Sequence, residues 1–383
     1  MRTEFEIALG MLGALLTYLA SIAVFAYFYP AIRGAKEVLA LLPVISDIRG
    51  DIMGSSASRM ITSLHLGVLK PSPLELLRAE ALNVAAAVVT TSILISLFVA
   101  GWYAVAYSEM LDINMLVSTS ILASLAITLI ALPSVAIATA RLFARGFDPG
   151  NVMPTLITVS IDLMAIPSLA LAYIALAKSS HSFIALLALA SATSSVAVAV
   201  AVMLLGGVQA RVFKERTGIV TLVIAGQAVA GVFLAGFEDR LATSGLIHVT
   251  PAFIGVSGAL ASIAGLKIAL HVYVNGYRGV ERVALASLLD ALAVGGLSMI
   301  PLGLIGYVTA GGDIYKAPLA TTIAVLVASL VSVLLLAVPI AYLLVRASFA
   351  LGVMPENVLL PLLTTVVDVT GIVVLSLLGS IAV

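Results

Sequence analysis

The chain has 383 residues, of which 62% are hydrophobic and only 10% are charged. This composition excludes an ordinary soluble domain, and the formal net charge of zero gives no support for a nucleic-acid partner. The chain has no cysteine, which excludes disulfides, thiolate metal sites and cysteine nucleophiles. We therefore expect a multi-pass protein of the cell membrane, whose main partner is the lipid bilayer.

Eleven apolar segments, each long enough to cross the hydrocarbon core, follow one another along the chain. Such lengths predict helices, because the strands of a membrane barrel alternate polar and apolar residues over about ten positions. The predicted fold class is all-α and polytopic, with about eleven transmembrane helices. The predicted spans are 7–29, 38–69, 79–107, 114–140, 151–177, 183–207, 218–237, 248–275, 283–309, 318–345 and 357–381.

Identical residues recur at an offset of 206 positions, which indicates an internal duplication. We predict a first five-helix repeat over 1–180, a linker helix over 181–212 and a second five-helix repeat over 213–383. Five spans and one linker make an even number of crossings, so both repeats insert in parallel orientation. The monomer then mimics a dimer around a pseudo-twofold axis. The identical pairs are His65 and His271, Glu75 and Glu281, Pro133 and Pro339, Asn151 and Asn357, and Asp162 and Asp368.

The Lys and Arg residues predict the orientation in the membrane. If the N-terminus is cytoplasmic, eleven of them fall on the cytoplasmic side and five on the outer side. This excess favours a cytoplasmic N-terminus and a C-terminus outside. The longest polar connection has about a dozen residues, so we expect no nucleotide-binding or sensor domain.

Asp162 and Asp368 are each the only charged residue of a predicted span. A carboxylate inside a membrane is a functional candidate, because it needs a cation, a partner or water to stay charged. Thr158 and Thr364 each stand four residues before an Asp and share its helix face. The alternative to an ion site is a pair of protonated Asp side chains that hydrogen-bond between packed helices.

Three further acids lie within predicted spans. Asp47 and Asp51 occur in the second span beside Arg49 and Arg59, among Gly, Ser and Ala residues. They either line an ion path or form internal salt bridges with these arginines. Asp290, in the ninth span, either lines the inner half of a pathway or makes a single polar contact. The second repeat lacks most of these charges, because at a local offset of 208 the four residues become Gly255, Ser257, Ala259 and Lys267.

Carboxylate and hydroxyl oxygens are ligands for hard cations such as Mg²⁺ and Ca²⁺. The candidate ligands are Asp162, Asp368, Thr158, Thr364, Asp51, Asp47 and Asp290. Mg²⁺ keeps most of its water shell and is commonly held by one or two carboxylates. We therefore expect a divalent cation, Mg²⁺ before others, as a transported substrate, and no cofactor.

Two motifs resemble a known family. RGDIMGSSASRMITSLHLG is similar to the second-helix motif of the MgtE-type magnesium channels and transporters, especially their tandem-repeat branch, solute carrier family 41. DPGNVMPTLITVSID and PENVLLPLLTTVVD are similar to the last-helix motif of that family. The resemblance implies two five-helix repeats with a pore between them, in which Asp162 and Asp368 hold a hydrated Mg²⁺. It also places a polar residue one turn earlier, at Thr158 and Thr364.

Two other functions remain possible at this point. In a secondary carrier, the Asp residues would bind H⁺ or Na⁺ to drive another small substrate. In an intramembrane aspartyl enzyme, the two Asp residues would form a catalytic dyad. The enzyme is disfavoured because such a site needs a Gly-x-Gly-Asp setting, whereas VSI and TVV precede these Asp residues. We therefore predict a transporter and not an enzyme.

Overall fold

The computed structural model describes the backbone of residues 2–147, 149, 153–205, 207–309, 318–351 and 355–382. In these residues the chain consists of helices joined by short connections and has no strand, which confirms the all-α class. Eleven of the described helices are long, and each coincides with one predicted span. The helices are α1 (Arg2–Ile32), α2 (Lys36–His65), α3 (Pro73–Tyr107), α4 (Ile113–Ala144), α5 (Met153–Ala177), α6 (His181–Leu205), α7 (Gly207–Gly236), the short α8 (Glu238–Thr243), α9 (Thr250–Asn275), α10 (Val280–Thr309), α11 (Leu319–Leu351) and α12 (Pro355–Ala382).

Eight of the described helices, α3 to α6 and α9 to α12, are long and apolar enough to cross a membrane. This confirms a multi-pass membrane protein. The described apolar parts of α1 and α7, Leu16–Ile32 and Val220–Gly236, are shorter. α2 has 30 residues but carries charged side chains along its length. The number of eleven crossings therefore stays a prediction for these three helices.

Short polar connections determine where several helices begin and end. The side chain of Asp112 accepts hydrogen bonds from the backbone N–H groups of Asn114 and Met115, at 2.9 and 3.2 Å. This N-cap begins α4. Pro73 occupies the first turn of α3, where its missing N–H is not needed. Between α1 and α2, Gly34 has φ +76°, a conformation that glycine adopts without strain.

The chain forms two compact units. The first contains Met1–Thr17 and Phe28–Val232, and the second contains Tyr18–Tyr27 and Phe233–Val383. In the first unit α2 packs against α3, α4 and α5, while α4 also packs against α3 and α5. In the second unit α9 packs against α10, α11 and α12, while α11 also packs against α10 and α12. Corresponding helices of the two repeats thus have corresponding neighbours, as a duplicated unit requires.

The compact units and the sequence repeats are different divisions of the chain, because most of α7 and the middle part of α1 each belong to the unit that contains the other repeat. Most of α7 belongs to the first unit, where a Cβ on Gly231 would lie 1.9 Å from the carbonyl oxygen of Ala40. Residues Tyr18–Tyr27 of α1 belong to the second unit, where the rings of Phe25 and His248 are 6.3 Å apart. These two contacts occupy equivalent places at the offsets of 206 and 208 residues.

We expect Gly231→Ala to destabilise the protein. The added methyl group would collide with the backbone of α2, so the two helices must separate, at a cost of about 1–3 kcal/mol. Gly296→Ala in α10 is the matched control, because no described atom lies within 4 Å of its Cβ position. There alanine favours the helix by up to about 1 kcal/mol. Thermal unfolding in detergent compares the two, and equal unfolding temperatures would contradict the close approach of α7 to α2.

Candidate ion-binding site

Asp162 lies in α5 and is hydrogen-bonded to α2, the helix that packs along α5. The hydroxyl of Ser46 donates to Asp162 Oδ1 at 2.5 Å. This hydrogen bond holds the carboxyl group in one orientation and connects the two helices that carry the family-like motifs. An acid inside a membrane bundle is a candidate for binding a cation or a proton.

One face of α2 places two acids beside two glycines. At about 100° per residue, Asp47, Gly50, Asp51 and Gly54 fall on the same side of the helix. No described atom lies within 4 Å of a Cβ built on Gly50 or Gly54, so there is open space beside these two glycines. Gln227 of α7 donates from Nε2 to Asp47 Oδ2 at 2.8 Å. Asp47 and Asp51 are both partly exposed and therefore lie on a face with open space beside its glycines.

The arginines of α2 are bound to α3. Arg49 donates from Nη2 to Ser92 Oγ at 3.1 Å. Arg59 donates from Nε to Glu80 Oε1 at 2.9 Å, and its Nη2 donates to Oε2 of the same carboxylate. Among the described residues, neither arginine forms a salt bridge with Asp51. In the described part of the chain, Asp51 therefore does not form the internal salt bridge with Arg49 or Arg59 that the sequence left open.

Asp368 of the second unit is more deeply buried than Asp162 of the first, which is partly exposed. Asp368 in α12 is 7% exposed. The hydroxyl of Thr364, one turn earlier, donates to the carbonyl oxygen of Pro361 at 3.1 Å. Its methyl group lies 4.0 Å from a Cβ built on Gly258 of α9. Thr364 thus lies between α12 and α9, while the side chain of its counterpart Thr158 lies outside the described residues.

The second helix of the second repeat has a different polar face. Ile254 stands where Ser46 stands in α2, so it offers no hydroxyl to Asp368. Gly255 replaces Asp47, and a Cβ built on it would lie 2.3 Å from the ring of Tyr18. The acid-bearing face of α2 is therefore replaced in α9 by a glycine face that an aromatic ring covers.

Asp290 is paired with a lysine. Lys267 of α9 donates from Nζ to Asp290 Oδ2 of α10 at 3.0 Å, and both side chains are about half exposed or more. The pair joins the second and third helices of its repeat, as Arg59 and Glu80 do in the first repeat. The charge of Asp290 is thus already balanced. Its role as a metal ligand stays a prediction.

The predicted acidic ligands are divided between the two units. Asp47, Asp51 and Asp162 lie in the first unit, whereas Asp290 and Asp368 lie in the second. No group of three His, Asp or Glu side chains in the described part of the chain is placed to hold a metal ion. Single carboxylates suit an ion that keeps most of its water shell better than a dehydrated ion enclosed by protein ligands.

Four polar partners were not predicted from the sequence, namely Ser46, Glu80, Ser92 and Gln227. Glu80 had a usable signal, because it lies about as far after the turn at residues 66–72 as Arg59 lies before it. Residues at equal distances from the turn of a helical hairpin come together. Ser46 and Gln227 had no such signal. Each contact joins helices far apart in sequence, and it depends on the rotation of each helix about its own axis.

A family model matches two segments of the chain, residues 42–172 and 250–378, which together make up more than half of it. The family is MgtE, described as a divalent cation transporter. The first segment runs from α2 to α5 and the second from α9 to α12, so each contains one of the two paired Asp residues. No curated protein matches the chain, and no solved structure matches it.

Proposed function

Because the chain belongs to the MgtE family of divalent cation transporters, we propose that it carries Mg²⁺ across the membrane, with Asp162 and Asp368 as ion-binding residues. The family itself establishes divalent cation transport by a multi-pass membrane protein and is not a family of enzymes. The choice of Mg²⁺ and the location of the pathway are the parts that we add.

The observation that carries this proposal is the position of Asp162. Its carboxyl group is held by Ser46 at the contact between α2 and α5. The neighbouring face of α2 presents Asp47, Asp51 and two glycines that no described atom covers. A carboxylate at such a place raises the local concentration of cations, and a glycine face lets a hydrated ion approach the helix.

The ligand types support Mg²⁺. Only oxygen ligands are offered, which suit hard cations, and the described residues contain no group of three acids that would enclose a dehydrated ion. Mg²⁺ dehydrates reluctantly and binds through one or two carboxylates with its waters retained. One carboxylate from each repeat would satisfy that requirement.

The internal duplication supports a shared site. Asp162 and Asp368 are equivalent positions in the last helices of two repeats that insert in the same orientation, α5 and α12. Residues related by a pseudo-twofold axis along the membrane normal meet when they lie near that axis. We place the pore along this axis, so that a single chain supplies both halves of the site.

The distribution of Lys and Arg supports a cytoplasmic N-terminus and an outer C-terminus. Epitope tags at the two ends would then respond oppositely to protease added outside intact cells. Equal responses would exclude an odd number of crossings, and with it the parallel repeats on which the shared site depends.

Uptake by cells tests the function. Expression of the chain in a strain that lacks its own magnesium uptake should restore growth at low external Mg²⁺. The purified protein in liposomes should admit Mg²⁺ in the absence of any other solute gradient. Flux that requires an H⁺ or Na⁺ gradient and another small solute, with no dependence on Mg²⁺, would instead establish the secondary carrier.

A further inference from the structure

Arg49 is a fully buried cation that lacks a carboxylate partner among the described residues. Its side chain is 0% exposed, although it lies in the middle of α2. Nη2 donates to Ser92 Oγ, whereas Nε and Nη1 have no hydrogen-bond acceptor among the described residues. A guanidinium group keeps its proton under all ordinary conditions, so this site holds a permanent positive charge.

The other arginine of α2 does not contribute a net charge in the same way. Arg59 is bound through two nitrogens to Glu80, which is 7% exposed, so the pair is neutral. Among the arginines of α2, Arg49 therefore differs from Arg59. No carboxylate of the described residues balances the charge of Arg49.

Arg49 lies near three acids of the first unit, namely Asp47, Asp51 and Asp162. Asp47 and Asp51 are two residues before and after it, and Ser46, which binds Asp162, is three residues before it. At 1.5 Å rise per residue, all three acids lie on the order of 10 Å from the guanidinium group. Arg49 faces Ser92 and α3, whereas Asp47 and Asp51 lie on the opposite side of α2. It therefore acts on a bound ion through space and not as a ligand.

We infer that Arg49 weakens divalent cation binding at the acids of the first unit, so that the ion is released quickly. This inference rests on the proposed function. A carboxylate in a medium of low dielectric constant attracts a divalent ion strongly, and transport requires binding that is weak enough for the ion to leave. A fixed positive charge nearby offsets part of that attraction without blocking the face of α2.

The second repeat has no arginine at the position equivalent to Arg49, and its second helix also has fewer acids. At the offset of 208 residues, Ser257 of α9 replaces Arg49, and Gly255 and Ala259 replace the two acids. Ser257 is also fully buried. The cation is thus present only in the repeat whose second helix carries the additional carboxylates.

The test measures Mg²⁺ flux in liposomes as a function of Mg²⁺ concentration for the native protein, Arg49→Gln and Arg49→Lys. A unit charge about 10 Å from a divalent ion changes its binding constant by up to roughly three hundredfold at an effective dielectric constant of about 20, and by less where water screens it. We expect Arg49→Gln to lower the half-saturating concentration at least about fivefold and to lower the maximal flux. Arg49→Lys keeps the charge and should stay within about twofold of the native value.

The double variant Arg59→Gln/Glu80→Gln is the matched control, because it removes a neutral pair and should leave the half-saturating concentration unchanged. If Arg49→Gln fails to reach the membrane, Asp51→Asn is compared with Asp51→Asn/Arg49→Gln, in which the second change should again tighten binding at least about fivefold. An unchanged half-saturating concentration in both comparisons would overturn the inference and leave Arg49 a purely structural residue. A native protein that neither binds nor transports Mg²⁺ would instead overturn the proposed function.

Discussion

Asp162→Asn and Asp368→Asn are each expected to remove the stabilisation of the protein by Mg²⁺ and to abolish flux. A ligand at a hundred times its dissociation constant stabilises the folded state by about 2.7 kcal/mol. If one hydrated ion is shared by both carboxylates, a single amide leaves half of the countercharge and cannot hold it. The measurement is the shift in unfolding temperature between zero and saturating Mg²⁺, with flux measured in parallel.

Glu109→Gln provides the control for this experiment. It makes the same change from carboxylate to carboxamide at an exposed residue that pairs with Lys36 at the surface. We expect it to keep the full Mg²⁺-dependent shift. A shift that survives in the double variant Asp162→Asn/Asp368→Asn would place the ion elsewhere, and Asp47, Asp51 and Asp290 would then be the next residues to replace.

The fold was predictable because hydrophobic length alone determines which segments become membrane helices. Each predicted span coincides with a long helix in the described chain, including the charged helix α2. The sequence could not predict that the middle of α1 belongs to the second compact unit and most of α7 to the first. The two helices are equivalent members of a duplicated pair, so either can pack against either repeat without a change in its hydrophobic pattern. Only side-chain shapes, such as Gly231 against Ala40, distinguish the two arrangements.

For the candidate site, the sequence identifies the acids as candidates but does not predict their partners. Asp162 and Asp368 are identified as candidates because a single charged residue in an apolar span usually has a functional role. The sequence could not show that Ser46 binds one of them while Ile254 occupies the equivalent place beside the other. It also left open whether Asp51 pairs with an arginine. That choice depends on helix rotation, which turns Arg49 and Arg59 towards α3.

The pair of Arg59 and Glu80 gives the second large expected effect. Glu80 is 7% exposed, and both of its carboxylate oxygens accept hydrogen bonds from Arg59. Breaking a buried ion pair by removing one partner typically costs about 3–5 kcal/mol, because the other charge stays buried. Arg59 is itself 30% exposed, which lowers the expected cost. We therefore expect Arg59→Gln to destabilise the protein by about 2–3 kcal/mol, measured by unfolding in detergent.

Two comparisons distinguish the effect of charge from the effect of side-chain packing at the hairpin formed by α2 and α3. The double variant Arg59→Gln/Glu80→Gln removes both charges and keeps side chains of similar length, so its stability should lie within about 1 kcal/mol of the native protein. Lys267→Gln breaks the corresponding pair of the second repeat, where both partners are far more exposed, and should cost less than about 1 kcal/mol. If the double variant is as unstable as Arg59→Gln alone, the hairpin depends on the shape of the arginine and not on its charge. In that case the removal of charge would no longer explain the difference between the two repeats.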